Sequence, residues 1–349
     1  MKVGGGFGGG WIDGAAAQAK AAEDLGFDFA GCPETQHDSM LAATLAAAAT
    51  ERMEIQTSVT IAFPRSPTVL AMQAWDIHHL SKGRFTIGLG SQVKGHNQNR
   101  FSTPWASGPA PRMKEYIQMM RAVWDSFEGK KAEFLGKHYH FTLMTPNFNP
   151  GPTGFGRPKI GLACVGDMMA RVAGDVADVV MPHGFMTDKY MREVLLPNVK
   201  VGLERSGRTW ADIEISGGGF TVFGETESEI EQGLERIRQP ISFYGSTRSY
   251  HEVFAVHGLQ DLGMQLHSMS LQGKWAEMQQ VIPEDVLRTF AQTSTYDKLP
   301  QWAAENREYA SRIGLQMPTR TPAERERFQH VLAEVKQVKN SGVPRGLAI

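Results

Sequence analysis

Two runs decide the fold: Glu54-Ile55-Gln56-Thr57-Ser58-Val59-Thr60-Ile61 and Arg84-Phe85-Thr86-Ile87-Gly88-Leu89-Gly90-Ser91. Each is short, apolar and rich in β-branched or aromatic residues, which is the chemistry of a strand. Between them, residues 67–81 carry Val69, Met72, Trp75 and Leu80 at helical spacing, and Gly83 acts as a stop. Strand, helix, strand is a parallel βα unit. Ser58, Gly88, Gly90 and Ser91 near the strand ends are small, so a flat ligand is expected to approach the backbone there.

The same alternation extends outward in both directions. Upstream, a first strand over 1–3 runs into the glycine-rich stretch 4–10. Asp13 is a good N-cap, and Ala15, Ala19, Ala22 and Leu25 share one helix face up to Gly26. A second strand over 27–31 ends in Cys32-Pro33-Glu34-Thr35-Gln36-His37-Asp38, and a helix over 40–50 follows. Downstream come a polar loop over 92–100, a helix over 113–127 and an excursion hairpin over 136–141. A fifth strand over 159–163 precedes Gly166 and a helix over 168–177; a sixth strand covers 178–181. A helix over 189–205 leads to strand seven at 213–223. Thr226 and Glu229 then have capping-box spacing at the start of another helix. Residues 241–310 show helical patterns without a barrel strand and are expected to form an insertion. Residues 312–317 read as strand eight, and Thr321-Pro322-Ala323-Glu324 opens a C-terminal helix at about 322–339. Eight such units predict a single (β/α)8 TIM barrel spanning 1–349, with insertion segments. The active site of such a barrel lies at the C-terminal strand ends. The glycine-rich loop, Glu34 to Asp38, Ser58-Val59, Gln92 to Asn97 and Cys164 to Asp167 should therefore share one mouth.

The totals limit what the chain can do. Thirty-six basic and 37 acidic residues give a formal charge of −1, so neither nucleic acid nor a membrane surface is an expected partner. No apolar run approaches the length of a membrane span. Cys32 and Cys164 are far apart and outside any CxxC pair, which fits a reducing cytoplasm and gives no metal ligand set. The glycine-rich N-terminus has no basic-then-apolar leader pattern.

Several local patterns admit two readings. Gly4, Gly6 and Gly9 match GxGxxG, which in a dinucleotide-binding unit would set Glu34 on a ribose. Six glycines among seven residues match many patterns, however, and the preceding strand is short, so the barrel reading stands. His37 and His96 fall in loops that the barrel brings to one rim, where a proton donor could serve. His78 and His79 are adjacent on a helix and point apart. His138 and His140 share a strand face without an obvious third ligand. Glu34 with Asp38 could be a general acid/base pair, or ion partners for a rim Lys or Arg. Gly166 could bare backbone N–H groups to a phosphate, or could be an ordinary turn glycine.

Ala21-Ala22-Glu23-Asp24-Leu25-Gly26-Phe27-Asp28, the 34–38 rim, Thr57-Ser58-Val59, Gly83-Arg84-Phe85 leading to Gly88-Leu89-Gly90, and Arg112-Met113-Lys114-Glu115-Tyr116 together resemble the bacterial luciferase-like superfamily. More closely, they resemble its coenzyme F420-dependent oxidoreductase branch. The likeness runs to about residue 318 and is strongest over 15–127 and 157–180. It implies a homodimeric enzyme that binds a deazaflavin across the barrel mouth and transfers a hydride between its C5 and a small organic substrate. Ser58 and Val59, joined by a cis peptide, would back the ring. Phe7 in the glycine-rich loop and Gln92, His96 and Asn97 would flank it, and Cys164, Val165, Gly166 and Asp167 would approach the phosphate. His37, Glu34 and His96 are the implied acid/base candidates, His37 first. Some relatives place a histidine nearer the acidic position of strand two, where this chain has Thr35-Gln36, and a glutamate where it has Val93 or Lys94. Two rivals share the fold: an FMN-dependent monooxygenase and a catalytically silent flavin-binding protein.

Overall fold

The computed structural model describes residues 1–105 and 108–349. Its eight barrel strands are β1 Lys2–Gly6, β2 Phe29–Cys32, β3 Glu54–Thr57, β4 Phe85–Gly90, β5 Lys159–Cys164, β6 Val179–Pro182, β7 Glu214–Ile215 and β8 Arg312–Gly314. All pair in parallel, in the order β7-β6-β5-β4-β3-β2-β1-β8. Closure is made by single contacts: Ser216 bridges Arg312, and Gly217 N donates to Arg312 O at 2.8 Å. This is the expected (β/α)8 architecture.

The helices follow from their spacing and stops. Helix α1, Ala15–Leu25, ends where Gly26 takes φ +95°, a left-handed cap that only glycine adopts without strain. Asp38 caps α2, Ser39–Ala49, by accepting from Met40 N and Leu41 N. Pro67 begins α3, Pro67–Leu80, at the position where a missing N–H costs nothing. Helix Pro109–Phe127 buries Met113, Tyr116, Ile117, Met120, Val123 and Trp124 against the barrel. At the far end, Thr321 and Glu324 form the expected capping box of helix Pro322–Lys336.

The barrel floor is charged. Arg312, 1% exposed, reaches from β8 across the interior to Gln56 Oε1 (3.2 Å) and Glu54 Oε2 (2.8 Å) on β3. Lys2 and Lys159 complete the ring around Glu54 and Glu214. Polar groups at this N-terminal face serve stability rather than chemistry.

Four expectations are corrected. The predicted strand over 213–223 is two strands. Only Glu214–Ile215 belongs to the barrel; Phe220–Gly224 pairs in parallel with Ala291–Thr295 in a separate sheet. Gly217 to Gly219, with Gly219 at φ +93°, let the chain leave the barrel between them. The loop predicted over 92–100 contains a short helix, Lys94–Asn99. Thr226 caps its helix from Glu229 N, but the Glu229 carboxylate takes Glu225 N instead of closing a box. Finally, the strand-end glycines do not leave room for a ligand. A Cβ on Gly88 would strike the Thr57 carbonyl and Met181, and one on Gly90 would strike Val59 Cγ2. They are small so that β3 and β4 can approach each other. The glycines of the dinucleotide-like pattern also have a packing reason: Gly4 and Gly5 lie within or beside β1 against the rings of Phe29 and Phe27.

Candidate active site

The C-terminal strand ends gather most of the predicted residues. After β2, the chain carries Glu34, His37 and Asp38. Glu34 accepts from Ser39 Oγ (2.7 Å) and from Arg65 Nη1 (2.7 Å), and Arg65 Nη2 donates to Asp38 Oδ2 (2.7 Å). Burial disfavours the Arg65 charge, but Glu34 and Asp38 outweigh it and hold the guanidinium above its ordinary pKa. Glu34 thus has the ion partner that one of its two readings expected. His37 packs its ring against the exposed indole of Trp11, with centroids 5.0 Å apart.

After β3, the Ser58–Val59 peptide is cis. Ser58 N donates to Cys32 O at 2.7 Å, and Ser58 Oγ accepts from Gln56 Nε2 at 3.1 Å. After β4, Gln92 sits at φ +55°, a left-handed conformation that costs a non-glycine residue energy. Its Oε1 accepts from Val93 N. Asn97 is fully buried and uses Nδ2 to bind Ser91 O and Val93 O, while Oδ1 has no partner. His96 stands exposed on the short helix. Arg100, its C-cap, donates to Thr35 O at 2.6 Å and ties this loop to the rim after β2.

After β5, Gly166 caps helix Asp167–Val176 with no side-chain hydrogen bond. Asp167 Oδ1 accepts from Met168 N, and a Cβ on Gly166 would meet nothing nearer than Glu252 Oε2 at 3.6 Å. The backbone there is open, as a phosphate cradle requires. The Asp167 and Glu252 carboxylates both border it; the Tyr190 hydroxyl donates to Glu252 and also reaches Val165 O. The Cys164 thiol is buried, and burial pushes it up to about 12. Phe7 is 3% exposed and packs in the core beside β2. Ser58-Val59, Gln92 to Asn97 and Cys164 to Asp167 thus follow three neighbouring strands. Two clefts lie elsewhere on the barrel, around β1, β2, β7 and β8: one of 580 Å³ bordered by Gly6, Phe7, Gly31 and Gln316, and one of 290 Å³ bordered by Gly218, Arg307 and Gln316.

Sequence reasoning missed His183. It follows Pro182 at the end of β6 and lies against the rings of Tyr244 (4.4 Å) and Tyr250 (5.0 Å). Burial lowers it to about 4. Its position at a barrel strand end was the available signal. Among the described residues, no group of three His, Cys, Asp or Glu side chains could hold a metal ion, and no helix is long and apolar enough to cross a membrane.

The luciferase-like monooxygenase family profile matches residues 4–312. An uncharacterized protein of Mycobacterium tuberculosis, Rv1360, is 37% identical over 286 residues, covering 82% of this chain and 84% of its own length. A putative coenzyme F420-dependent oxidoreductase of the same organism, Rv3520c, is 34% identical over 142 residues, or 39% of this chain and 38% of the relative. The coenzyme F420 dependent tetrahydromethanopterin reductase from Methanopyrus kandleri superposes with a TM-score of 0.74 at 18% identity. That alignment covers 97% of this chain and 99% of the reductase.

Proposed function

Because this chain belongs to the luciferase-like monooxygenase family, we propose that it is an oxidoreductase that moves a hydride between coenzyme F420 and a small organic substrate. One observation carries the reading: three segments suited to a ring, its flank and a phosphate follow the neighbouring strands β3, β4 and β5. The relative named as a putative F420-dependent oxidoreductase favours the deazaflavin over FMN. The rival reading, an FMN-dependent monooxygenase, keeps the support of the family as a whole.

When bound, the deazaflavin supplies the carbon that gives or takes the hydride. The chain's own residues do the rest. Ser58 and Val59 would back the ring. Gln92, His96 and Asn97 would flank it, with Asn97 fixing the loop through Ser91 O and Val93 O. Backbone N–H groups from Val165 to Asp167 would hold the phosphate, beside Glu252. His37 gives a proton to, or takes one from, the substrate heteroatom, and Arg65 keeps the loop before α2 rigid through Glu34 and Asp38. Leu41 on α2 with Val69 and Met72 on α3 are exposed apolar side chains on packed neighbouring helices, and they fit a second copy of the chain. The two cysteines, both free, fit a cytoplasmic enzyme.

Fluorescence quenching of the purified protein by coenzyme F420 and by FMN, measured separately, tests the reading. Tighter binding of F420 is expected. The reverse preference moves the chain to the monooxygenases, and binding of neither removes both readings.

A further inference from the structure

We propose that His183 binds the substrate, donating a hydrogen bond from Nε2–H to the oxygen of an uncharged carbonyl compound or alcohol. The substrate class rests on the oxidoreductase reading; the donor itself does not. His183 directly follows Pro182, which pairs with Cys164, so it stands beside the turn that leads to Gly166. Nδ1 accepts from Phe185 N at 3.0 Å. A neutral imidazole has one donor and one acceptor nitrogen, so this bond leaves the proton on Nε2. Nε2 makes no hydrogen bond with any described residue. The ring is only partly buried, so this donor stays open to a ligand oxygen that displaces water from it.

The surroundings select the ligand. Tyr244 and Tyr250 wall the ring, and burial keeps it neutral. No charged side chain of the described residues hydrogen-bonds or ion-pairs with it. A carboxylate or phosphate would find no counter-charge at this donor, whereas a neutral oxygen on a ring-bearing molecule finds both a donor and aromatic walls. As a carbonyl carbon takes a hydride, its oxygen gains negative charge and the Nε2–H bond strengthens. His183 keeps its proton throughout; the proton that completes the alcohol comes from another group at the rim.

The test uses protein labelled with nitrogen-15 at histidine, without coenzyme, and acetophenone as the probe. His183→Gln identifies the His183 signals by their loss. Near neutral pH they should report a neutral ring protonated at Nε2, and acetophenone should shift the Nε2 resonance. His183→Phe, which keeps bulk and loses the donor, should weaken acetophenone binding about tenfold, the worth of one hydrogen bond. His183→Gln retains an N–H at the Nε2 position and should keep most of the affinity. Coenzyme binding should be unchanged in both variants. A ring protonated at Nδ1, or acetophenone leaving the His183 signals unmoved, overturns the proposal. If acetophenone shifts the signal but coenzyme F420 does not bind, the proposed function falls and this site stands.

Discussion

Arg65 and Glu34 face each other at 2.7 Å across the rim, with 18% and 7% of their side chains exposed. A charge pair this sheltered is costly to break from one side, because the survivor is left buried alone. Arg65→Ala is therefore expected to lower stability by about 3–5 kcal/mol in urea unfolding. Arg65→Ala with Glu34→Ala should recover part of that loss. Equal stability of the single variant and the native chain would remove Arg65 from its organising role.

His37→Ala and His37→Gln should lower turnover by about 10²–10⁴-fold, the usual worth of a positioned acid or base. Coenzyme affinity should shift little. His96→Ala should weaken coenzyme binding as well. Near-native turnover in His37→Ala would pass the role to His96 or to water.

The two sides of the phosphate turn predict opposite effects. Gly166→Pro removes one N–H from the cradle and should weaken coenzyme binding in equilibrium titration. Glu252→Gln removes a carboxylate beside the same turn and should strengthen it by several-fold at low salt, with the gain shrinking as salt rises. Two unchanged affinities would move the phosphate elsewhere.

Glu23 gives a pH dependence. Burial opposes its charge, but N–H donors from Arg52, Met53 and Glu51 outweigh burial and bring the carboxyl down to about 2. The folded value lies below the ordinary 4.5, so this contribution is present above about pH 4.5 and is lost as pH falls toward 2. Glu23→Gln should cost roughly 3 kcal/mol near neutral pH, with the difference from the native chain closing in acid. A constant difference across that window would contradict the assignment.

The exposed apolar residues of α2 and α3 predict a dimer. Leu41→Arg with Met72→Arg should give a folded monomer in analytical ultracentrifugation, while the native chain sediments as a dimer. A monomeric native chain ends the proposal for this face.

Most of the barrel was legible because its strands and helices repeat two distinct periods, and Gly26, Asp38 and Thr321 punctuate them as their chemistry requires. Where the reading failed, local pattern had no purchase. Phe220–Gly224 has the same apolar composition as a barrel strand, and only its pairing with Ala291–Thr295 takes it elsewhere. Lys94–Asn99 has no apolar face to betray a helix, which Asn97 instead anchors through two carbonyls. Glu34 and Asp38 were visible as a pair, but Arg65, the partner that joins them, sits on a later loop. His183 is a single residue after a proline, and its significance comes from Tyr244 and Tyr250, far along the chain.

The charged floor has a consequence for synthesis. Arg312 meets Gln56 across 256 positions of sequence, and β1, the first strand made, waits for β8 to cover its free side. On the ribosome, a chain that has emerged through β7 has β1 with an unpaired edge, and Glu54 and Glu214 without the guanidinium that neutralises them. Exposed strand edges pair with other chains, and closure of so long a loop is slow. The nascent protein is thus most prone to aggregation late in translation, just before its last hundred residues are complete, and this is when a chaperone would be needed.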